Sequence, residues 1–519
     1  MTNSVQMLIT MCCYIAVVIG IGVAFAKTAN ENSENYFLGG RSLGPWVAAM
    51  SAEASDMSGW LLMGLPGVAY WCGLSDAIWT AIGLAVGTYL NWLIVAKRLR
   101  KYSVVAGNSI TVPDFLSNRF REKKRIIMLI SSLLILVFFS VYAGSCFVTC
   151  GKLFAEMFGQ SYTLMMLLGA AFVVIYTFLG GFLAESVSDF MQAVIMIISL
   201  VVVLVIGTNA AGGLGAVMEN IRGIPGFFDF FGIASSTVDE NKLQLVEAGK
   251  PLFGDAGKYG FLTIISTLSW GLGYFGVPQV LLRFFAIRKS SELKRSRRIA
   301  TVWVVISLTA AVAIGLIGRT LFPTQLLSSS ASENIFVTMA KALLHPLFAG
   351  IVSAGILAAT ISSSDSYLLI ASSAVSKNIY QGIFKKDATD RQVMNISRIT
   401  LILIAVVGMI IALDENSVIF KVVSFAWAGF GAAFGPVILF SLFWKRINQA
   451  GAVAGMLAGG IMVFVWEFVL TPLGGVFAIY ELLPAFLTSC LFIIVVSLLT
   501  KEPSLEILED FEKAKTIEC

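Results

Sequence analysis

Long apolar runs separated by short polar stretches dominate this chain of 519 residues. A helix needs about 20 apolar residues to cross the hydrocarbon core of a bilayer, and thirteen runs approach or exceed that length. The short alternating strands of a membrane β-barrel are absent, so the pattern predicts an all-α integral membrane protein with about 13 transmembrane helices. The runs cover residues 6–26, 45–72, 75–96, 126–151, 161–184, 188–208, 259–281, 299–321, 346–376, 396–413, 417–444, 450–471 and 481–500.

Two of these runs, the second and the seventh, contain clusters of helix-breaking residues. The interrupting residues are Gly59, Gly64, Pro66 and Gly67 in the second run, and Gly271, Gly273, Gly276 and Pro278 in the seventh. Interrupted helices at corresponding positions of two halves indicate the binding site of a secondary transporter. Since the two runs are five apart, and five is odd, runs 2–6 and 7–11 are predicted to form two repeats of opposite orientation.

The pattern also predicts how the chain is organised. We expect one transmembrane transporter domain over residues 1–500 and a short cytoplasmic tail over 501–519. The two core repeats are expected at about 42–208 and 259–444. The flanking helices are expected at 6–26, 450–471 and 481–500.

Composition and charge support a membrane protein and give it an orientation. The chain is 57% hydrophobic and 13% charged, whereas soluble proteins carry about 25% charged residues. Of the 36 lysines and arginines, 28 lie in the segments that would be cytoplasmic if the N-terminus were outside. The positive-inside rule therefore predicts a multi-pass protein of the plasma membrane with an external N-terminus and a cytoplasmic C-terminus. The formal net charge of +5 then reflects topology, and a nucleic-acid partner is not expected.

Other classes of activity lack their usual motifs. No G-x-x-x-x-G-K-[ST] phosphate-binding loop occurs in the sequence, so uphill transport is expected to use an ion gradient and not ATP. No nucleophile, base and metal-ligand cluster converges, so an enzyme is not expected. The seven cysteines are scattered, and they are interpreted as small buried apolar residues.

Polar residues inside two runs are candidates for an ion site. Glu53 and Asp56 lie on one face of the second run, and residues 360–366 of the ninth run read TISSSDS. A buried carboxylate is costly unless it meets a cation or a water-filled cavity, and a hard cation such as sodium prefers several oxygen ligands. The alternative is that the serines only bond the carbonyls of their own helix.

Aromatic residues near the interruptions are candidates for a substrate pocket. Trp270, Tyr274 and Pro278 recur at i, i+4 and i+8, while Trp60 follows the first interruption and Tyr142 lies in the fourth run. Such a stripe can simply face lipid or the core. Next to a broken helix it favours the wall of a small apolar pocket, whose polar groups would suit a compact zwitterion better than a sugar.

Five motifs resemble the sodium/solute symporter family, and within it the proline-transporting branch. They are GGRSLGP (39–45), SAEASDMSGWLLMGLPG (51–67), WGLGYFGVPQ (270–279), ILAATISSSDS (356–366) and AWAGFGAAFGPVILFSLFW (426–444). The resemblance runs from about residue 5 to 500. It implies a leucine-transporter-like fold with a 5+5 inverted-repeat core and a broken first helix in each repeat. It also implies sodium-coupled uptake of L-proline by alternating access, with sodium as the coupling ion and no other cofactor.

The resemblance also implies roles for individual residues. Sodium would bind the carbonyls of Ala54, Met57 and Ala359 and the hydroxyls of Ser362 and Ser363, supported by Asp56 and Arg41. Proline would bind at Ser58, Trp60, Tyr142, Trp270, Tyr274 and Pro278. An auxiliary cation or proton site would fall on Asp189, Asp365 and Ser366.

The sequence leaves two alternatives open. One is a sodium symporter of another small solute, such as a different amino acid, pantothenate or a sugar. The other is a membrane sensor or channel built on the same core.

Overall fold

The computed structural model describes residues 3–29 and 33–517. Within these ranges the chain is mostly helical, as the run pattern predicts. The α-helices are α1 (Asn3–Ala29), α2 (Ser33–Leu38), α3 (Pro45–Asp56), α4 (Leu65–Cys72), α5 (Leu74–Leu90), α6 (Ala96–Val105), α7 (Val112–Arg119), α8 (Ile126–Phe158), α9 (Tyr162–Ala210), α10 (Leu214–Arg222), α11 (Phe261–Leu268), α12 (Pro278–Ala286), α13 (Leu293–Leu321), α14 (Ser329–Ser332), α15 (Ile335–Leu343), α16 (Pro346–Ser373), α17 (Asp390–Ile411), α18 (Ile419–Phe443), α19 (Gln449–Val465), α20 (Leu482–Leu499) and α21 (Leu505–Thr516).

Shorter elements connect or extend these helices. Four two-residue strands form two antiparallel ribbons in the long connection after α10, pairing β1 (Gly232–Ile233) with β4 (Gly257–Lys258) and β2 (Val246–Glu247) with β3 (Lys250–Pro251). Tighter 3₁₀ turns lie at Gly39–Arg41, Ser269–Phe275, Ser290–Glu292, Thr471–Leu473 and Gly475–Phe477. Wider π turns lie at Trp60–Gly64, Asn91–Val95, Ala374–Phe384 and Trp466–Leu470.

The predicted spans agree with the helices that the structure describes. Ten helices there are long and apolar enough to cross a membrane, and the bent pair 261–275 and 278–286 makes an eleventh. Two shorter apolar helices, Trp60–Cys72 and Tyr162–Phe178, match the second half of the second run and the fifth run. The fifth and sixth runs are joined in α9, which turns at Gly181, where φ is 59° and ψ is −179°.

Both predicted interruptions are present. α3 stops at Asp56, and Met57 takes a non-helical conformation (φ −80°, ψ 71°) before the chain resumes as a π turn at Trp60. In the seventh run, α11 tightens into a 3₁₀ turn and restarts at Pro278 with a bend of 41°. Broken helices at membrane depth are tolerated where the freed backbone is buried in protein or lines a cavity.

Three of the residues predicted to break the second run do not break it. Gly64 closes the π turn, and Pro66 and Gly67 follow this wider turn within the continuous helix Trp60–Cys72. Gly67 is needed for contact, because a Cβ atom there would lie 2.8 Å from the Cα atom of Glu333. The second run therefore has a single break, at residues 57–59.

The packing places the two broken helices at the centre of the bundle. α3 packs against α9, α12, α13 and α16, and the 3₁₀ turn of the seventh run packs against α5 and α18. α1 lies outside on α9 and α16, while α19 and α20 pair on α18. We call the side that carries residues 211–260 the loop face, and the side that carries α6, α7 and α21 the tail face.

Candidate functional site

The first part of the site is a group of oxygen atoms between α3 and α16. The hydroxyl of Ser362 donates to the carbonyl of Ala54 at 2.8 Å, and the hydroxyl of Ser363 donates to the same carbonyl at 3.2 Å. Ser362 also lies 3.1 Å from the carbonyl oxygen of Ala359. Met57, the remaining residue of the predicted sodium set, is the buried C-cap of α3. Four of the five residues thus meet directly, and Met57 lies at the adjoining break.

Neighbouring hydroxyls on α16 behave differently. Thr360 donates to Ile356 at 2.8 Å, and Ser364 donates to Thr360 at 2.6 Å. These bonds satisfy the carbonyls of their own helix, which is the ordinary use of such residues in a helix. Of these hydroxyls, those of Ser362 and Ser363 reach across to α3. The ion-site interpretation therefore applies to these two serines, and the interpretation as bonds within the helix applies to Thr360 and Ser364.

The second part of the site is a cluster of large aromatic rings beside the two breaks. The Trp270 ring lies 6.1 Å from Trp60 and 6.3 Å from Trp427, and Tyr274 meets Trp427 edge-on at 5.0 Å. The indole of Trp427 donates to the carbonyl of Trp270 at 2.8 Å. We call Trp60, Trp270, Tyr274 and Trp427 the aromatic box.

The box does not depend on the helical stripe that the spacing suggested. Trp270 and Tyr274 lie in a 3₁₀ turn, and Pro278 begins the next helix beyond the bend. The two rings still converge, because both pack on Trp427. Gly273 makes this approach possible, since a Cβ atom there would lie 2.0 Å from the Trp427 indole nitrogen.

Polar atoms line the box near the break of α3. Tyr274 donates from its hydroxyl to Asp56 Oδ2 at 2.6 Å, and Trp60 donates to the carbonyl of Asp56 at 3.3 Å. The Asp56 carboxylate therefore faces the box. Its second oxygen, the Ser58 hydroxyl and the Tyr142 hydroxyl are buried without a hydrogen-bond partner. Glu53, one turn earlier, accepts a bond of 3.3 Å from Trp92.

Access differs on the two faces. On the loop face, a cavity of about 470 Å³ reaches Trp270 and is also lined by Phe420 and Tyr480. On the tail face, Arg41 donates to the Phe285 carbonyl at 2.8 Å and to the Ser109 carbonyl at 2.7 Å. Arg41 thus bridges the end of α12 to the connection after α6 and does not touch the oxygens between α3 and α16. The box is approached from the loop face.

The predicted auxiliary residues belong to a buried ionic network centred on Arg283. Arg283 pairs with Asp189 at 3.1 Å and with Glu185, and it donates to Ser366 at 2.9 Å. Ser366 also bonds Glu185. Asp365 accepts the backbone amide of Ser366 at 2.7 Å, and its other oxygen has no partner.

Sequence reasoning missed several residues of these clusters. Trp427 lies in a motif that was used only for the family resemblance, and Tyr367, which stacks on Tyr142 at 4.2 Å, follows the serine cluster directly. Tyr367 is four residues beyond Ser363, so helical spacing could have placed it on the same side of α16. Arg283 lies two residues beyond the seventh run, among the basic residues that the positive-inside rule assigns to the cytoplasm, so no sequence signal pointed to its buried acidic partners.

The bundle with two centrally broken helices, one beside an oxygen cluster and both beside an aromatic box, defines a secondary transporter. A model of the sodium:solute symporter family matches residues 36–459. The chain belongs to the sodium:solute symporter family, and the predicted family is confirmed.

Individual relatives agree with this assignment. The chain is 40% identical over 518 residues to the sodium/proline symporter of Staphylococcus aureus (strain USA300 / TCH1516), covering 99% of this chain and 96% of that one. Among solved structures, a Na⁺-coupled sialic acid symporter in a substrate-bound outward-open state superposes with a TM-score of 0.76 at 18% identity, covering 96% and 99% of the two chains. Mhp1, a nucleobase-cation-symport-1 family transporter in a closed conformation, superposes with a TM-score of 0.52 at 13% identity, covering 93% and 100%. These likenesses confirm the predicted transporter fold.

Proposed function

We propose that the chain carries L-proline into the cell together with sodium, by alternating access. The observation that carries this proposal is the meeting of Ser362 and Ser363 with the Ala54 carbonyl at the break of α3, next to the aromatic box. The similarity to sodium/proline symporters, at 40% identity over almost the whole chain, supports both the ion and the substrate.

Sodium would bind between α3 and α16. The carbonyls of Ala54, Met57 and Ala359 and the hydroxyls of Ser362 and Ser363 would supply oxygen ligands, which a hard cation prefers. Binding would replace the present hydrogen bonds, because each hydroxyl would turn its lone pair towards the ion. Asp56 adds negative charge close to this site, and Arg41 would act from a distance by holding the tail face together.

The substrate would bind in the aromatic box. Trp60, Trp270 and Tyr274 offer apolar surface for a small ring, and Pro278 starts the helix that carries the far side of the break. The unpaired oxygen of Asp56 would accept from the ammonium group of the substrate. The hydroxyls of Ser58 and Tyr142 would serve its carboxylate, as the preference for a compact zwitterion requires.

The transport cycle follows from this arrangement. We take the loop face as external and the tail face as cytoplasmic, as the positive-inside rule favours, with the two core repeats at about 42–208 and 259–444. Sodium draws α3 and α16 together, proline binds, the loop face closes and the tail face opens. One charge crossing 100 mV supplies about 2.3 kcal/mol, and a tenfold sodium gradient adds about 1.4 kcal/mol. One sodium ion therefore supports a gradient of several hundred-fold.

The auxiliary site stays a hypothesis, and Arg283 restricts where it could lie. Arg283 already holds Asp189 and Ser366, so a further cation would have to use the unpaired oxygens of Asp189 and Asp365. A measured ratio of one sodium per proline, with no pH-dependent current, would exclude this site.

The proposed function is tested by uptake of radiolabelled L-proline into proteoliposomes. We expect accumulation with an inward sodium gradient, none with a matched potassium gradient, and loss of accumulation in Asp56→Ala and Asp56→Asn variants that still fold. No uptake in either salt would contradict proline as substrate. Competition by other amino acids, pantothenate and sugars would then find the solute, whereas current without saturable solute binding would indicate a channel.

A further inference from the structure

Tyr367 is a buried residue of α16 for which the transport scheme above has no role. Its ring stacks on Tyr142 at 4.2 Å with an angle of 30°, and on Phe139 at 5.1 Å with an angle of 20°. Its hydroxyl is fully buried and has no hydrogen-bond partner. The ring is therefore held firmly in place, while its polar atom has no structural function in the bundle.

Two further hydroxyls at this place are unpaired as well. Those of Tyr142 and Ser58 are also buried without a well-formed hydrogen bond, and the Tyr142 hydroxyl has only the hydroxyls of Tyr367 and Ser58 within reach as weak hydrogen-bond partners. Buried polar groups are nearly always hydrogen-bonded, and an unsatisfied one is costly. Three hydroxyls next to the break of α3, which form no well-formed hydrogen bond and have only weak contacts with one another, indicate a position where they donate to a bound acceptor.

Charge decides which end of a zwitterion fits this position. The hydroxyls can donate, whereas the nearby Asp56 carboxylate can only accept and already uses one oxygen for Tyr274. An ammonium group therefore goes to Asp56 and a carboxylate goes to the hydroxyls. Two phenols fixed by stacking lose little conformational freedom when they bind it.

We infer that Tyr367 is a specificity-determining residue, which together with Tyr142 donates hydrogen bonds to the carboxylate of the transported zwitterion. This inference rests on the proposed function of the aromatic box. It assigns the selection of a free carboxylate to two phenols on α8 and α16. A site built to hydrogen-bond a polar group rejects analogues that lack the group much more strongly than an apolar pocket rejects a missing methylene.

The experiment compares Tyr367→Phe with the wild-type chain in proteoliposomes at saturating sodium. The variant keeps the ring and its stacking and removes only the hydroxyl. We expect the KM for L-proline to rise about 10-fold or more, as for the loss of a hydrogen bond to a charged group, with kcat nearly unchanged. The inhibition constant of pyrrolidine, which lacks the carboxylate, should stay the same. Tyr367→His, which keeps an N–H donor, should recover part of the affinity.

Tyr36→Phe is the matched control, because Tyr36 is also fully buried with an unpaired hydroxyl but lies in α2 on the tail face. Its KM should equal that of the wild type. An unchanged KM in Tyr367→Phe, or an equal loss for proline and pyrrolidine, would overturn the inference. If the variant fails to fold, the inference is tested on the wild-type chain with substrate analogues. It would be overturned if pyrrolidine and L-prolinamide bound as tightly as L-proline. Absence of wild-type proline uptake would instead contradict the proposed function.

Discussion

The two serines that reach across from α16 to α3 give the sharpest prediction for the sodium site. We expect Ser362→Ala and Ser363→Ala to raise the sodium concentration needed for half-maximal proline uptake. Both changes remove only a hydroxyl, and both positions are fully buried, so no exposed surface changes. The Ala54 carbonyl, to which both hydroxyls donate at 2.8 and 3.2 Å, stays in place.

The size of the effect follows from the oxygen ligand that each variant removes. Each substitution takes away one of five proposed oxygen ligands, and an interaction of this kind with a charged group contributes about 1.5–3 kcal/mol. A tenfold change in an equilibrium constant corresponds to about 1.4 kcal/mol. The sodium requirement should therefore rise by about 10- to 100-fold, with a larger effect when both hydroxyls are removed.

The assay is initial proline uptake into proteoliposomes as a function of external sodium. Ser364→Ala is the matched control, because this neighbouring serine bonds only its own helix, at Thr360. Its sodium requirement should equal that of the wild type. Equal shifts in all three single variants, or a shift in Ser364→Ala alone, would refute the assignment of the sodium site to the α3–α16 contact.

Three further predictions concern packing, buried charge and the tail. Gly273→Ala would place a methyl group 2.0 Å from the Trp427 indole nitrogen, so it should destabilise the protein by about 1–3 kcal/mol and impair uptake. Gly260→Ala, where a Cβ atom would meet nothing within 4 Å, should change neither the unfolding temperature nor uptake. Arg283→Leu leaves buried carboxylates without their cation and should cost about 3–5 kcal/mol of stability, whereas Arg288→Leu, at a 54% exposed position, should leave the unfolding temperature unchanged. In the tail, hydrogen bonds from neighbouring lysines lower the pKa of Glu512 from 4.5 to about 2. Its contribution to docking of α21 is therefore present above about pH 4.5 and is lost as pH falls towards 2. Hydrogen exchange over residues 505–516 checks this, and loss of protection between about pH 5 and 8 would contradict it.

The helices of this protein were predictable because their signal is local. In a bilayer, the backbone amides and carbonyls of a run of about 20 apolar residues find their hydrogen-bond partners within the run only if it is helical. Each of the thirteen runs coincides with described helices. The break of the seventh run was predictable for the same reason, since Pro278 fixes its own φ and lacks an amide hydrogen, and Gly276 adopts non-helical conformations at little steric cost, wherever these residues occur. The family motifs could also be recognised from the sequence, because each motif is contiguous in it.

The contacts between helices were not predictable in this way. Local spacing places Ser362, Ser363 and Ser364 in the same polar cluster, yet Ser364 does not meet Ala54 as the other two do, because a helix turns about 100° per residue and α3 lies on one side of α16. In the second run, Gly59 and Gly67 are both glycines that the sequence predicts to break the helix. Gly67 instead allows close packing against Glu333 and does not interrupt the helix.

A bundle of membrane-spanning helices, two interrupted helices, the family and most of the residues around the two breaks were predictable from the sequence. Which of these side chains meet depended on how the helices pack. This packing brought Trp427 to Trp270, Tyr367 to Tyr142 and Arg283 to Asp189 across large separations in the chain. The physical reason is that burial and hydrogen bonding within a helix depend on nearby residues, whereas partners between helices depend on the rotation and packing of whole helices against each other.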